Sequence, residues 1–157
     1  MEEMNRRELI TAAATACACL LCSDLTGLAA QPATRPVLAP LVPVEIGALK
    51  DFATEKVYDT WVSKGFVLIR QKDRLVAQSS ICTHNNSARL GMKGELLVCP
   101  RHGGQFKPTG EVVKAPPKKP LPRCAISLNA DGKIVVDPNK KFAQEQWDDK
   151  AAFLKPE

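Results

Sequence analysis

The sequence predicts an all-β, antiparallel domain, and three observations predict it. Short apolar runs end at turn residues. A D-G step, Asp131-Gly132, separates two such runs. No helical period appears before Lys141. Twelve prolines and nine glycines in 157 residues also fit a loop-rich chain better than a helix bundle.

The elements follow in order. Residues 1–30 read as an export signal. Arg6-Arg7 precedes Leu9–Cys22, a run without a charge, and Gly27-Leu28-Ala29-Ala30 resembles a small-residue cleavage region. The run suits a signal sequence and is short for a membrane span of about 20 residues. Arg6-Arg7 with Leu9-Ile10 resembles the twin-arginine motif, although Glu2, Glu3 and Glu8 make the start less basic than that motif favours. A periplasmic or otherwise exported protein is expected. An uncleaved leader would act as a membrane anchor, and a cytoplasmic location is the alternative. Residues 31–43 form a linker, because Pro32, Pro36, Pro40 and Pro43 favour extended chain.

The folded domain is expected over 44–137. Strand signals fall at Glu55–Val62, Gly65–Arg70, Arg74–Ser80 and Glu95–Val98. Ala125–Leu128 and Lys133–Val136 flank the D-G step as a hairpin. In the tail, 138–157, Phe142, Trp147, Ala151 and Leu154 could share one stripe, which predicts a short C-terminal helix.

Both histidines of the chain sit in one short pattern. Cys82-Thr83-His84 is followed, after fourteen residues, by Cys99-Pro100-Arg101-His102. Each of two loops offers one thiolate and one imidazole. A Rieske [2Fe–2S] centre needs that donor set, since two His replace two Cys on one of its irons. Two other readings compete. Structural zinc also takes Cys2His2, but its familiar pattern keeps the Cys pair and the His pair apart. A Cys–His nucleophile leaves the second pair unexplained. The candidate metal ligands are therefore Cys82, His84, Cys99 and His102, with no catalytic residue among them.

The remaining cysteines do not read as a disulfide framework. Cys17, Cys19 and Cys22 fall in the leader, and Cys124 stands alone as a small buried hydrophobe. Charge is uneven across the net of +5. Between Arg89 and Arg123 lie Arg89, Lys93, Arg101, Lys107, Lys114, Lys118, Lys119 and Arg123, against Glu95 and Glu111. Such a face steers toward an acidic partner. Nucleic acid is not expected, because neither a basic helix nor stacking aromatics accompany these charges.

Cys82-Thr83-His84 and Cys99-Pro100-Arg101-His102-Gly103-Gly104-Gln105-Phe106, with Thr109-Gly110 and Pro116-Pro117…Leu121, resemble the Rieske iron–sulfur family over about residues 44–137. The resemblance implies a β-sandwich base carrying a small cluster-binding subdomain. It implies one [2Fe-2S] cluster, with Cys82 and Cys99 on the inner iron and His84 and His102 on the outer. Pro116–Pro122 resembles the loop that packs beside the cluster. Rieske subunits of quinol-oxidising complexes carry two further cysteines, where this chain has Ser87 and Arg101. They also tend to have hydroxyl donors where this chain has Gly104 and Phe106. In these respects the chain resembles a Rieske-type ferredoxin with a lowered potential, and a hydroxyl added at either position is expected to raise it. An electron carrier between redox proteins is the first reading. A Rieske subunit of a membrane or periplasmic oxidoreductase complex is the second. A Rieske oxygenase is excluded, because its second iron needs two more histidines.

One outcome tests the leader. Replacing Arg6 and Arg7 together with lysine should hold the protein in the cytoplasm; unchanged fractionation would count against a twin-arginine route.

Overall fold

A computed structural model describes residue 38 and residues 40–156. The expected leader and the linker through Val37 lie outside the described residues. The described residues form ten strands in two antiparallel sheets. β1 (Val44–Ala48), β2 (Val57–Tyr58), β3 (Phe66–Arg70), β4 (Leu75–Ser79), β9 (Arg123–Leu128) and β10 (Lys133–Phe142) build the base sheet. Its order is β1-β10-β9-β4-β3-β2. β5 (Gly91–Lys93), β6 (Leu96–Val98), β7 (Gln105–Phe106) and β8 (Val112–Lys114) form a smaller sheet in chain order. This is the predicted all-β architecture, a sandwich-like base with a small subdomain.

Strands β3 and β4 explain why Phe66-Val67-Leu68-Ile69 does not alternate with polar residues. Side chains of successive residues point to opposite faces, and here both faces are covered. Phe66, Leu68, Leu75 and Ala77 join Cys124, Ile126, Ile134 and Val136 in one core. Val67, Ile69 and Val76 join Leu97, Phe106 and Leu121 in a second. The second core also holds Cys82 and Cys99. The small sheet is thus fastened to the base by the same apolar cluster that holds the two thiols.

The D-G hairpin forms as expected. Gly132 takes φ of 73°, and Asn129 closes the turn by accepting on Oδ1 from the Asp131 and Lys133 N–H groups. β1, β5, β7 and β8 carried no strand signal. They are short, and apart from the buried Phe106 their half-buried or exposed residues leave little apolar pattern to read.

The C-terminal helix does not form. β10 runs on to Phe142, and the chain then makes one 3₁₀ turn at Gln144–Gln146. The four residues of the supposed stripe are engaged separately. Phe142 pairs with Arg123 in the sheet. The Trp147 ring lies under the Arg123 guanidinium at 4.5 Å. The Ala151 carbonyl accepts from the Ile126 N–H, and Leu154 exchanges two backbone bonds with Leu75. β4 and β9 pair directly only at Ala77–Cys124 and Gln78–Arg123. Where they separate, the tail supplies the missing partners at Leu75 and Ile126. Backbone groups in a half-buried seam need those bonds, so the tail closes the sheet. Among the described residues no helix is long and apolar enough to cross a membrane.

Candidate metal centre

Two loops carry the four candidate ligand residues. The first follows β4, and Ile81 bridges to Arg89 at its base. Within it the Cys82 N–H donates to the Ala88 carbonyl, and the Asn86 N–H donates to the Cys82 carbonyl, at 3.0 and 2.9 Å. The second follows β6. There the Cys99 N–H donates to the Gly104 carbonyl at 2.8 Å and the Gly103 N–H to the Cys99 carbonyl at 3.0 Å. Each cysteine therefore closes its own loop through both backbone groups. The reversal requires a left-handed residue four positions on, and these are Asn86 (φ 53°) and Gly103 (φ 67°). Asn is among the few L-residues that take this conformation readily. Asn86 carried no signal in the reading of the sequence; its place four residues after a ligand cysteine was the available clue.

The loops hold their donors as two pairs at different depths. Cys82 and Cys99 are 3% and 2% exposed, whereas His84 and His102 are exposed. The His84 and His102 Nδ1 atoms lie 3.3 Å apart, with the rings at 85°. The thiols are neighbours too. Burial pushes the Cys82 thiol up, the Cys99 thiol beside it adds to the effect, and the His84 N–H opposes it. The Cys82 thiol therefore resists ionisation unless positive charge is placed beside it.

This donor set fits a dinuclear iron centre. Among the described residues no three His, Cys, Asp or Glu side chains gather as a site for one metal ion. The arrangement instead offers a thiol pair beneath and an imidazole pair above. A four-donor zinc site would need all of them around one point. Cys82 with Cys99 and His84 with His102 would be the two pairs that hold a [2Fe-2S] cluster.

A third loop walls the site. Residues 115–122 carry the proline stretch, and Thr83 Oγ1 donates to the Lys119 carbonyl at 2.6 Å. The loop's far end is held by Gln78, a side chain 1% exposed that donates to the Leu121 and Pro122 carbonyls. On the other side Gly104 lies against Pro117. A Cβ at Gly104 would stand 2.6 Å from Pro117 Cδ and 3.0 Å from its Cγ. The structure thus gives Gly104 a steric role that the sequence did not reveal, and a serine there is not the simple hydroxyl addition expected. Phe106 is fully buried in the core that holds both thiols, so position 106 is the cleaner place for a hydroxyl.

The basic residues sort differently from their order in sequence. Arg123 is buried, with its guanidinium over Trp147 and donating to the Trp147 carbonyl. Lys107 pairs with Glu111 at 2.6 Å in the β7–β8 turn. Lys93, Arg101, Lys114, Lys118 and Lys119 are exposed and Arg89 is half-buried. Segments 81–91, 99–104 and 115–122 contain no Asp or Glu. The cysteines behave as expected: Cys82, Cys99 and Cys124 are free, and burial pushes the Cys124 thiol up to about 12.

The Rieske [2Fe-2S] domain family matches residues 43–125, and the chain belongs to that family. It is 36% identical over 62 residues to a Haloferax mediterranei protein named "Putative respiratory nitrate reductase subunit Rieske". That stretch is 38% of this chain and 28% of the relative, so the chain matches under a third of that protein. Among solved structures, the cyanobacterial plasma membrane Rieske protein PetC3 from Synechocystis PCC 6803 is similar at a TM-score of 0.41 and 25% identity. The match covers 60% of this chain and 98% of that one. The ferredoxin of carbazole 1,9a-dioxygenase from Nocardioides aromaticivorans IC177 is similar at 0.34 and 22% identity, over 62% and 98%. A Rieske domain carries a [2Fe-2S] cluster, and its chemistry is electron transfer.

The Gly104 contact yields a paired outcome. Gly104→Ala should cost about 1–3 kcal/mol through overpacking and lower the iron content of purified protein. Gly91→Ala, with nothing within 4 Å of its added Cβ, should leave iron content unchanged. Equal iron in both variants would show that the proline loop yields freely.

Proposed function

We propose that the chain is a small exported one-electron carrier. Its cluster is held by Cys82 and Cys99 on the inner iron and by His84 and His102 on the outer. The observation that carries this reading is the depth order, with a buried thiol pair beneath an exposed imidazole pair. The cluster supplies a site that gains and loses one electron. The protein's own groups do the rest. The apolar core around Cys82, Cys99 and Phe106 excludes water from the thiol side. The imidazoles bring the other side to the surface, where a partner can approach closely. The His84 N–H donates toward the Cys82 sulfur and favours its charged form.

The absence of a hydroxyl at Gly104 and Phe106 supports a potential in the lower part of the Rieske range, roughly −150 to +300 mV. Fewer donors stabilise the more negative reduced state less. A second reading, a Rieske subunit of a larger oxidoreductase, is favoured by the name of the Haloferax relative.

Partner chemistry follows from the loop charges. Arg101, Lys118 and Lys119 are exposed on the loops that carry or flank the imidazoles, with no anion among those segments. A donor or acceptor with an acidic docking face fits this rim.

Anaerobic purification should give two irons per chain and a Rieske EPR signal on reduction. His84→Cys should change that signal, and Phe106→Tyr should raise the midpoint potential. Stoichiometric zinc without iron would sink the ligand assignment, and a wild-type potential near the top of the range would contradict the account of Phe106.

Docking has its own measurement. Steered encounters slow with salt, because charges are screened beyond about 10 Å at 0.1 M ionic strength. Lys118→Glu with Lys119→Glu should slow electron transfer about tenfold or more at low salt, with the potential unchanged. Stopped-flow rates that stay flat across salt would dispose of the acidic-partner reading.

A further inference from the structure

Three loops surround the imidazole pair, and each is joined to the other two. Thr83 ties the first ligand loop to the proline loop through the Lys119 carbonyl. Gly104 packs the second ligand loop on Pro117. The two ligand loops meet directly through Arg101, whose Nη1 donates to Ser87 Oγ at 3.4 Å. The contacts close a ring.

We propose that Arg101 and Ser87 form a latch that sets the separation of His84 and His102 and so governs how firmly the cluster is retained. This rests on Cys82, Cys99, His84 and His102 being its ligands.

The argument starts from what the other restraints leave undone. The bonds Cys82–Ala88, Asn86–Cys82, Cys99–Gly104 and Gly103–Cys99 each lie within one loop. They shape each loop but do not fix the distance between loops. The thiol pair does not depend on such a tie, because the surrounding core fixes both cysteines. The imidazoles stand exposed at the loop tips, where packing gives little support. Metal–ligand distances tolerate only about ±0.2 Å, so small changes in loop spacing are felt at the outer iron first.

Arg101 and Ser87 are placed to control that spacing. Arg101 lies between Cys99 and His102, next to the second imidazole. Ser87 lies between Asn86 and Ala88, the two residues that close the first loop onto Cys82. A displacement of either reaches a ligand within a few bonds. The planar guanidinium suits the role, because its donors are held in a fixed fork and less freedom is lost per bond formed than with lysine. The latch is separable from the rim charge that serves docking, since Ser87→Ala removes the acceptor and leaves every charge in place.

The experiment uses the full chain, purified anaerobically with its iron. An iron chelator is added, and loss of visible absorption is timed. Ser87→Ala and Arg101→Gln should each lose the cluster about two- to fivefold faster, the range an exposed charged hydrogen bond supports. The double variant should be no faster than the faster single, because both changes remove one contact. Ser87→Thr keeps the hydroxyl and should hold the wild-type rate. Ser87→Ala should also broaden the EPR lines of the reduced protein, as a looser imidazole spacing spreads the geometry. Iron-loaded wild type with a Ser87→Ala rate equal to it, or with additive effects in the double variant, overturns the latch alone. Wild-type chain that binds no iron overturns the ligand assignment and the latch together.

Discussion

A cysteine pair held inside the core, on the same two loops that carry an exposed histidine pair, is the constraint on which the rest of the structure depends. Burial and the neighbouring Cys99 thiol push the Cys82 thiol up, and a metal centre beside it would remove that cost. The arrangement therefore works only if both loops are delivered to the same place at the right depth. Each loop achieves its own shape cheaply, through two backbone bonds to its cysteine and one left-handed residue. Bringing the loops together is the task of the sheets.

The base does this by burying both faces of β3 and β4. One face packs against β1, β9 and β10. The other packs against the small sheet and the cysteines. A change in either core is transmitted to the site, because interiors are close-packed and do not absorb volume changes locally. The C-terminal tail belongs to the same scheme. It fills the seam where β4 and β9 part, and β4 leads directly into the first ligand loop. What reads as an appendage in sequence is part of the platform under Cys82.

Charge is divided between structure and surface. Arg123 adds to a sequence count of cations, but it is buried against Trp147 and steadies the tail. Lys107 is paired with Glu111 away from the loops. The cations that remain near the imidazoles are those whose side chains find no acidic neighbour in their own loops. Local repulsion among them is tolerable in water, and Arg101, Lys118 and Lys119 stay exposed on the loops that carry or flank His84 and His102.

The sequence by itself showed the Cys82, His84, Cys99 and His102 pattern, the all-β class and the D-G hairpin. These depend on residue identity and short spacing: two histidines and two cysteines in one pattern, apolar runs between turn residues, and Gly132 where φ must be positive. The Rieske family was legible for the same reason. Tertiary structure supplied the burial that separates the cysteine pair from the histidine pair, an order that the family resemblance had only implied, because burial is set by residues far apart in the chain. It decided the role of Gly104, whose missing side chain matters only because Pro117 lies against it. It also decided the tail. Phe142, Trp147, Ala151 and Leu154 have helical spacing, but the unpaired backbone of Leu75 and Ile126 draws that segment into the sheet. Local periodicity could not foresee this, since the competing partners lie in β4 and β9.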